Sequence, residues 1–141
     1  MSVTFAQARD QILALGTTAW QAHNDYPLLF DDSASEEIPK TSTPWARMTI
    51  RHESGEQDTL SNPLGNKLFS RRGVLIVQLF TPRGKGLQSA DTLAKVFMDA
   101  YEGKSTSGGV WFRNARYREI GPDGNWYQTN VTLDFEYTEL K

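Results

Sequence analysis

Apolar and polar positions follow two different periods along this chain, and one stretch follows neither. From Val74 to Phe80 every residue is apolar except Gln78, with Arg71 and Arg72 before the run and Thr81-Pro82-Arg83-Gly84-Lys85 after it. A short apolar run, rich in β-branched residues and bracketed by Gly73 and Pro82, predicts a strand buried on both faces and therefore central to its sheet. A helical period occurs twice. Phe5, Ala8, Ile12, Leu15 and Ala19 recur at spacings of three and four and predict a helix from Thr4 to about Asn24, opened by the capping-box pair Thr4 and Gln7. Gly16 and Thr17-Thr18 weaken its second half, where fraying is expected, and Tyr26-Pro27 stops it. Leu87, Ala90, Leu93, Ala94, Phe97, Ala100 and Tyr101 predict a second helix from about Leu87 to Glu102, ended by Gly103.

The period of two appears in the remaining elements. In Trp45–Glu53, Ala46, Met48 and Ile50 fall on one face and Arg47, Thr49 and Arg51 on the other, with a turn expected at Ser54-Gly55-Glu56. Leu28–Phe30 is a short strand candidate. Val110–Ile120 and Asn125–Tyr137 flank Gly121-Pro122-Asp123-Gly124, a hairpin signal. On the second arm Tyr127, Thr129, Val131, Leu133, Phe135 and Tyr137 share one face, and Asp134 and Glu136 belong to the other. Three segments show no period. Residues 31–44 form a loop by composition, and residues 104–109 form a flexible connector. Leu60–Phe69 is irregular, either a surface loop or a segment that orders against a partner. The order of elements predicts an α+β fold over 1–141 as one domain: a mostly antiparallel sheet with two helices packed on it, long loops and a C-terminal β-hairpin.

Composition narrows the chemistry. The 141 residues carry 15 basic and 17 acidic side chains, a net charge of −2, which is no global signature of nucleic-acid or membrane binding. There is no Cys, so disulfides, thiolate metal sites and Cys nucleophiles are excluded. No apolar segment approaches the roughly 20 residues that span a bilayer, and the N-terminus lacks the pattern of a signal peptide, so a soluble protein made in the cytoplasm is expected. His23 and His52 lack metal-ligand spacing and read as polar surface residues, with His23 supporting a helix C-terminus. No Gly-x-Ser-x-Gly elbow is present, and Arg83-Gly84-Lys85-Gly86 lacks the Walker spacing. The carboxylate pairs Asp31-Asp32 and Glu36-Glu37 lie in an acidic loop, without the rigid, desolvated setting that acid–base work needs. No catalytic residue, cofactor or metal site is expected.

What the chain does carry is segregated charge. Asp25 to Ile38 holds five acids and no base; Lys67 to Lys85 holds five bases and no acid; Arg113, Arg116 and Arg118 add three more in the hairpin. Opposite patches on one molecule suit a head-to-tail contact between identical copies, which closes into a ring or runs on as a filament. On this reading the assembly interface uses Arg71, Arg72, Arg83 and Lys85 against Asp31, Asp32, Glu36 and Glu37, and Arg113, Arg116 and Arg118 face a lumen or a partner. Unrelated solvated faces would give the same charge pattern.

Several segments resemble the tail-terminator-like proteins of long-tailed bacteriophages. The carrying residues are Trp45-Ala46-Arg47 with the strand to His52, Gly55-Glu56-Gln57, Arg71-Arg72-Gly73 entering Val74–Pro82, Gly86 and Ala90-Asp91 opening a helix, Gly109–Arg113, and Trp126-Tyr127-Gln128. The resemblance implies a structural subunit of the virion tail, without catalysis or cofactor. Such a subunit assembles in the host cytoplasm as a homohexameric ring, caps the tail tube, contacts the tail tube protein and the head-tail connector protein, and lets DNA pass through its lumen without sequence specificity. Two other readings stand beside it. One is a different head-tail connector or tail completion protein. The other is a nucleic-acid-binding module using the basic strand ends and the hairpin arginines beside Trp111 and Tyr117.

Overall fold

The computed structural model describes residues 2–31, 43–60 and 62–141. The chain runs α1 (Phe5–His23), β1 (Leu28–Phe30), β2 (Trp45–Gln57), β3 (Leu68–Pro82), α2 (Gln88–Tyr101), β4 (Trp111–Asp123) and β5 (Trp126–Leu140). The strands form one five-stranded sheet in the order β1-β2-β3-β5-β4. β1 pairs with β2 in parallel and every other neighbouring pair is antiparallel, so the fold is α+β with a mostly antiparallel sheet.

β3 is the middle strand, as its apolar run predicts, but among the described residues helices cover only one of its faces; on the other, Phe80 is buried against Trp45 at one end of the strand. Gly73, Leu75, Val77 and Leu79 are buried, whereas Val74, Ile76 and Gln78 between them are only half-buried. Both helices lie on the same side of the sheet: Ala8, Ile12 and Trp20 of α1 and Leu93, Phe97 and Tyr101 of α2 share one core with Ala46, Met48, Leu75, Val77, Val131 and Leu133. Trp20 stacks on Phe97 with ring centroids 5.1 Å apart. Among the described residues no helix lies on the opposite face.

The α2 stripe is buried as predicted. In α1 the buried stripe is instead Ala8, Ile12, Gly16 and Trp20, at a strict spacing of four, and Phe5 is 53% exposed. The second half of the helix stays unbroken to His23. The capping box closes at Thr4, with Gln7 N–H donating to Thr4 Oγ1 at 3.3 Å and Thr4 N–H donating to Gln7 Oε1 at 3.0 Å. At the other end Trp20 Nε1 donates to Tyr26 O at 2.7 Å and ties the exit loop to the helix.

Four further expectations are corrected. The turn at Ser54-Gly55-Glu56 is strand: β2 continues to Gln57 opposite Phe69, and a bulge between His52 and Ser54 absorbs the irregularity. A Cβ on Gly55 would collide with the Arg71 guanidinium, so the glycine marks a close approach within the sheet rather than a break in it. The hairpin turn contracts to Gly124-Asn125, because Asp123 already pairs with Trp126; Gly124 takes φ +60, which a two-residue hairpin loop requires. Residues 104–109 are pinned rather than flexible. Thr106 Oγ1 donates to Gln11 Oε1 at 2.5 Å, and Gly108 N–H donates to the same oxygen at 3.2 Å. His52 is no free surface residue: its ring lies 4.9 Å from Phe5 and 5.3 Å from Phe135, and its Nε2 is 2.8 Å from Tyr137 Oη. Burial, followed by the nearby Arg9 and Arg71 charges, holds the imidazole pKa below its ordinary value.

Candidate assembly surface

Register decides where each predicted site residue points. Arg71 pairs with Tyr137 and Arg72 with Glu136, one on each face, because successive residues of a strand alternate. Arg71 faces the helices. It bonds Glu139 Oε1 at 3.1 Å with side-chain exposures of 14% and 17%, and its guanidinium lies over the rings of Phe5 and Phe69. Arg72 lies on the open face. Arg83 and Lys85 sit beyond the far end of β3, roughly 35 Å from Arg72 at about 3.3 Å per residue. Arg83 NH1 donates to Gly124 O at 3.4 Å, and Lys85 lies beside His23 and Gln88. The four bases therefore form no single patch. Asp31 lies at the end of β1, accepting a hydrogen bond from Thr49 Oγ1 at 2.9 Å and facing Arg51 at 3.6 Å. Asp32, Glu36 and Glu37 lie outside the described residues.

The hairpin arginines are brought together. Arg113, Arg116 and Arg118 pair with Asp134, Thr132 and Asn130 and share the open face. There β5 supplies acids between two basic strands. Glu136 takes Arg72 at 3.4 Å from β3 and Arg113 at 3.4 Å from β4, and Asp134 takes Arg116 at 3.2 Å. Asn114, at φ +55 within a bulge, donates its Nδ2–H to Asp134 at 2.9 Å. The Arg116 and Asn114 hydrogen bonds hold the Asp134 carboxyl below the usual carboxylate range. Exposed pairs of this kind contribute about 0–1 kcal/mol each. Their effect is to neutralise the middle of the open face and leave charge at its rims. Arg118 on β4 and Glu53 and Glu56 on β2 are exposed and make no ion pair among the described residues.

The residues that sequence reasoning missed are the acids Asp134, Glu136 and Glu139. Alternation had already put Asp134 and Glu136 on the polar face of their strand, but a cross-strand partner is readable only once the register is known. In the β2–β3 loop Leu60 and Leu64 are exposed, although Asn62 Nδ2 donates to Asn66 O at 3.1 Å and shapes the segment. Among the described residues no cluster of His, Cys, Asp and Glu could hold a metal, and no helix is long and apolar enough to cross a membrane.

These environments separate the two arginines. Arg71→Glu sets two carboxylates together in a nearly closed site and is expected to cost roughly 3 kcal/mol, the scale of breaking a buried pair. Arg72→Glu is expected to cost about 1 kcal/mol or less. Urea denaturation of the two single variants checks this; equal midpoints would show that Arg71 is not held inside the fold.

What the fold and this surface define is a small α+β structural subunit. A family model described as "Phage tail terminator protein" matches residues 12–135, and the chain belongs to that family. It is thus a structural protein of a phage tail and part of the virion. A solved structure titled only with a sequence identifier shares the fold: TM-score 0.64, 16% identity, 91% of this chain and 94% of that one covered. A second solved structure, titled "Virion of native gene transfer agent (GTA) particle", aligns at TM-score 0.43 and 16% identity over 89% of this chain and 82% of that one. No curated protein sequence matches significantly.

Proposed function

We propose that this protein forms a homohexameric ring on the end of the completed tail tube, ends tube polymerisation there and joins the tube to the head-side connector. The observation that carries the reading is the family match over residues 12–135, which spans most of α1 and every strand as far as Phe135 of β5. The rims of the open face add support, because a closed ring needs two unlike, complementary surfaces on each subunit. Arg72, Arg83 and Lys85 remain proposed contacts of the assembly. The ring assembles in the host cytoplasm, its partners are the tail tube protein and the connector protein, and DNA passes through its lumen without sequence readout. A nucleic-acid-binding module using the basic strand ends is the less supported reading, since Arg72, Arg113 and Arg116 already face acids.

Electron microscopy of the purified protein mixed with tail tubes tests the proposal, with native mass measurement alongside. Rings on one tube end and a halt to tube growth are expected. A protein that stays monomeric and never binds tube ends at any concentration would sink it.

A further inference from the structure

The sheet has two outer edges, and they are unlike. On one side β1 pairs with Ala46–Met48 only, so among the described residues the outer edge of β2 is unpaired from there to Gln57. On the other side β4 is the last strand, bridged on its outside, among the described residues, only where Ser105 meets Trp111. Unpaired strand edges present rows of N–H and C=O groups that can accept another strand. The β2 edge carries Arg51, Glu53, Glu56 and Asp58, with acids in excess; the β4 edge carries Arg113, Arg116, Arg118, Glu119 and Asp123, with bases in excess. Pairing the two unlike edges sets charges of opposite excess together.

We propose that the outer edge of β4 in one copy of this chain pairs with the outer edge of β2 in the next, in antiparallel register with Arg118 beside Glu56. This inference rests on the ring reading above. The two residues lie on the same, open face: Glu56 pairs with Ser70 and Arg118 with Asn130, and both partners have the parity of Gln78 in the β3 register. Both are exposed, and neither makes an ion pair among the described residues. Counting outward from that pair, the same register puts Arg116 beside Asp58 and Asp123 beside Arg51, two more pairs of opposite sign. One bulge on each strand falls between Arg118–Glu56 and Asp123–Arg51, so the extra residues balance. Strand direction agrees. β4 runs antiparallel to β2 within the sheet, and rotation about an axis along the strands preserves direction, so β4 meets the next copy's β2 antiparallel. The contact is heterologous and repeats from copy to copy.

The chain has no Cys, so introduced thiols report without background. The test is the variant carrying Arg118→Cys and Glu56→Cys together, assembled on tail tubes, oxidised and run on a non-reducing gel. Within one chain the two positions lie three strand spacings, about 14 Å, apart across the sheet and eight residues, about 26 Å, apart along it, beyond the reach of a disulfide. A ladder of covalent oligomers is expected from the double variant, dimers alone from an equal mixture of the two single variants, and no cross-link from either single variant by itself. In a parallel arm, Arg118→Glu and Glu56→Arg each lower the assembled fraction about tenfold, and the two together restore it. If wild-type rings form but the double variant stays uncross-linked, or a single variant links to itself, the edge contact is overturned while the ring stands. If wild-type protein forms no ring on tube ends, the ring reading fails and the edge contact falls with it.

Discussion

Val77→Asp abolishes cooperative folding. Val77 has no exposed surface and sits in the middle strand, level with Met48 on β2 and Val131 on β5, both also buried. An aspartate there points under the helices, into the apolar core. A buried carboxylate without a partner costs several kcal/mol even after relaxation, and protonating it to escape that cost still leaves an unsatisfied polar group. Domains of this size hold about 5–15 kcal/mol in total. The expected result is insoluble protein, or soluble protein without a thermal transition by circular dichroism. Gln78→Glu, one residue along, points to the open face and is expected to cost under about 1 kcal/mol, as surface changes usually do. The contrast between adjacent positions tests the one-sided burial of β3. A Val77→Asp protein that melts cooperatively near the wild-type temperature would show that this face is not the core.

Much of this architecture was legible because it depends on period alone. The alternation Thr129, Val131, Leu133, Phe135, Tyr137 placed the buried face of β5 correctly, and the stripe from Ala90 to Tyr101 placed that of α2. Both are averages over many residues, so no single residue decides them. What failed depended on single residues whose meaning is set by a neighbour distant in sequence. Gly55 reads as a turn until Arg71 is known to occupy the space beside it, and residues 104–109 read as flexible until Gln11 is found to bond them. The placement of charge depends on neighbours in the same way. Arg71 and Arg72 are adjacent in sequence and look like one patch, but the pleat sends them to opposite faces, one into Glu139 and one onto Glu136. The apolar run of β3 suggested cover on both sides, because a hydrophobic run does not say how many layers a fold will supply.

Gly16 is the sharpest of these reversals, and it makes the second large prediction. A Cβ built on Gly16 would lie 2.5 Å from Tyr101 Oη and 2.6 Å from Met48 Cε. Met48 is flexible and can give way. Tyr101 cannot: its ring packs against Phe112 at 4.8 Å, and its hydroxyl donates to Ile12 O at 2.6 Å. Burial raises the pKa of this phenol, so it remains a neutral donor at any ordinary pH. Two effects then compete in Gly16→Ala. Helix propensity favours alanine by about 1 kcal/mol. Against it stand overpacking, about 1–3 kcal/mol, and displacement of a buried hydroxyl from its acceptor, about 1–3 kcal/mol more. The sum is a net loss of roughly 1–5 kcal/mol, which at about 4 °C per kcal/mol lowers the melting temperature by about 4–20 °C. Gly16→Leu adds three more buried heavy atoms at the same point and is expected not to fold. The cause can be isolated by a double-mutant cycle. Tyr101→Phe removes the oxygen that the new methyl would strike, so Gly16→Ala should cost less in that background than in wild type, with a coupling of at least about 1 kcal/mol. If Gly16→Ala instead raises the melting temperature, the propensity term has won, and α1 does not approach Tyr101 as closely as this packing requires.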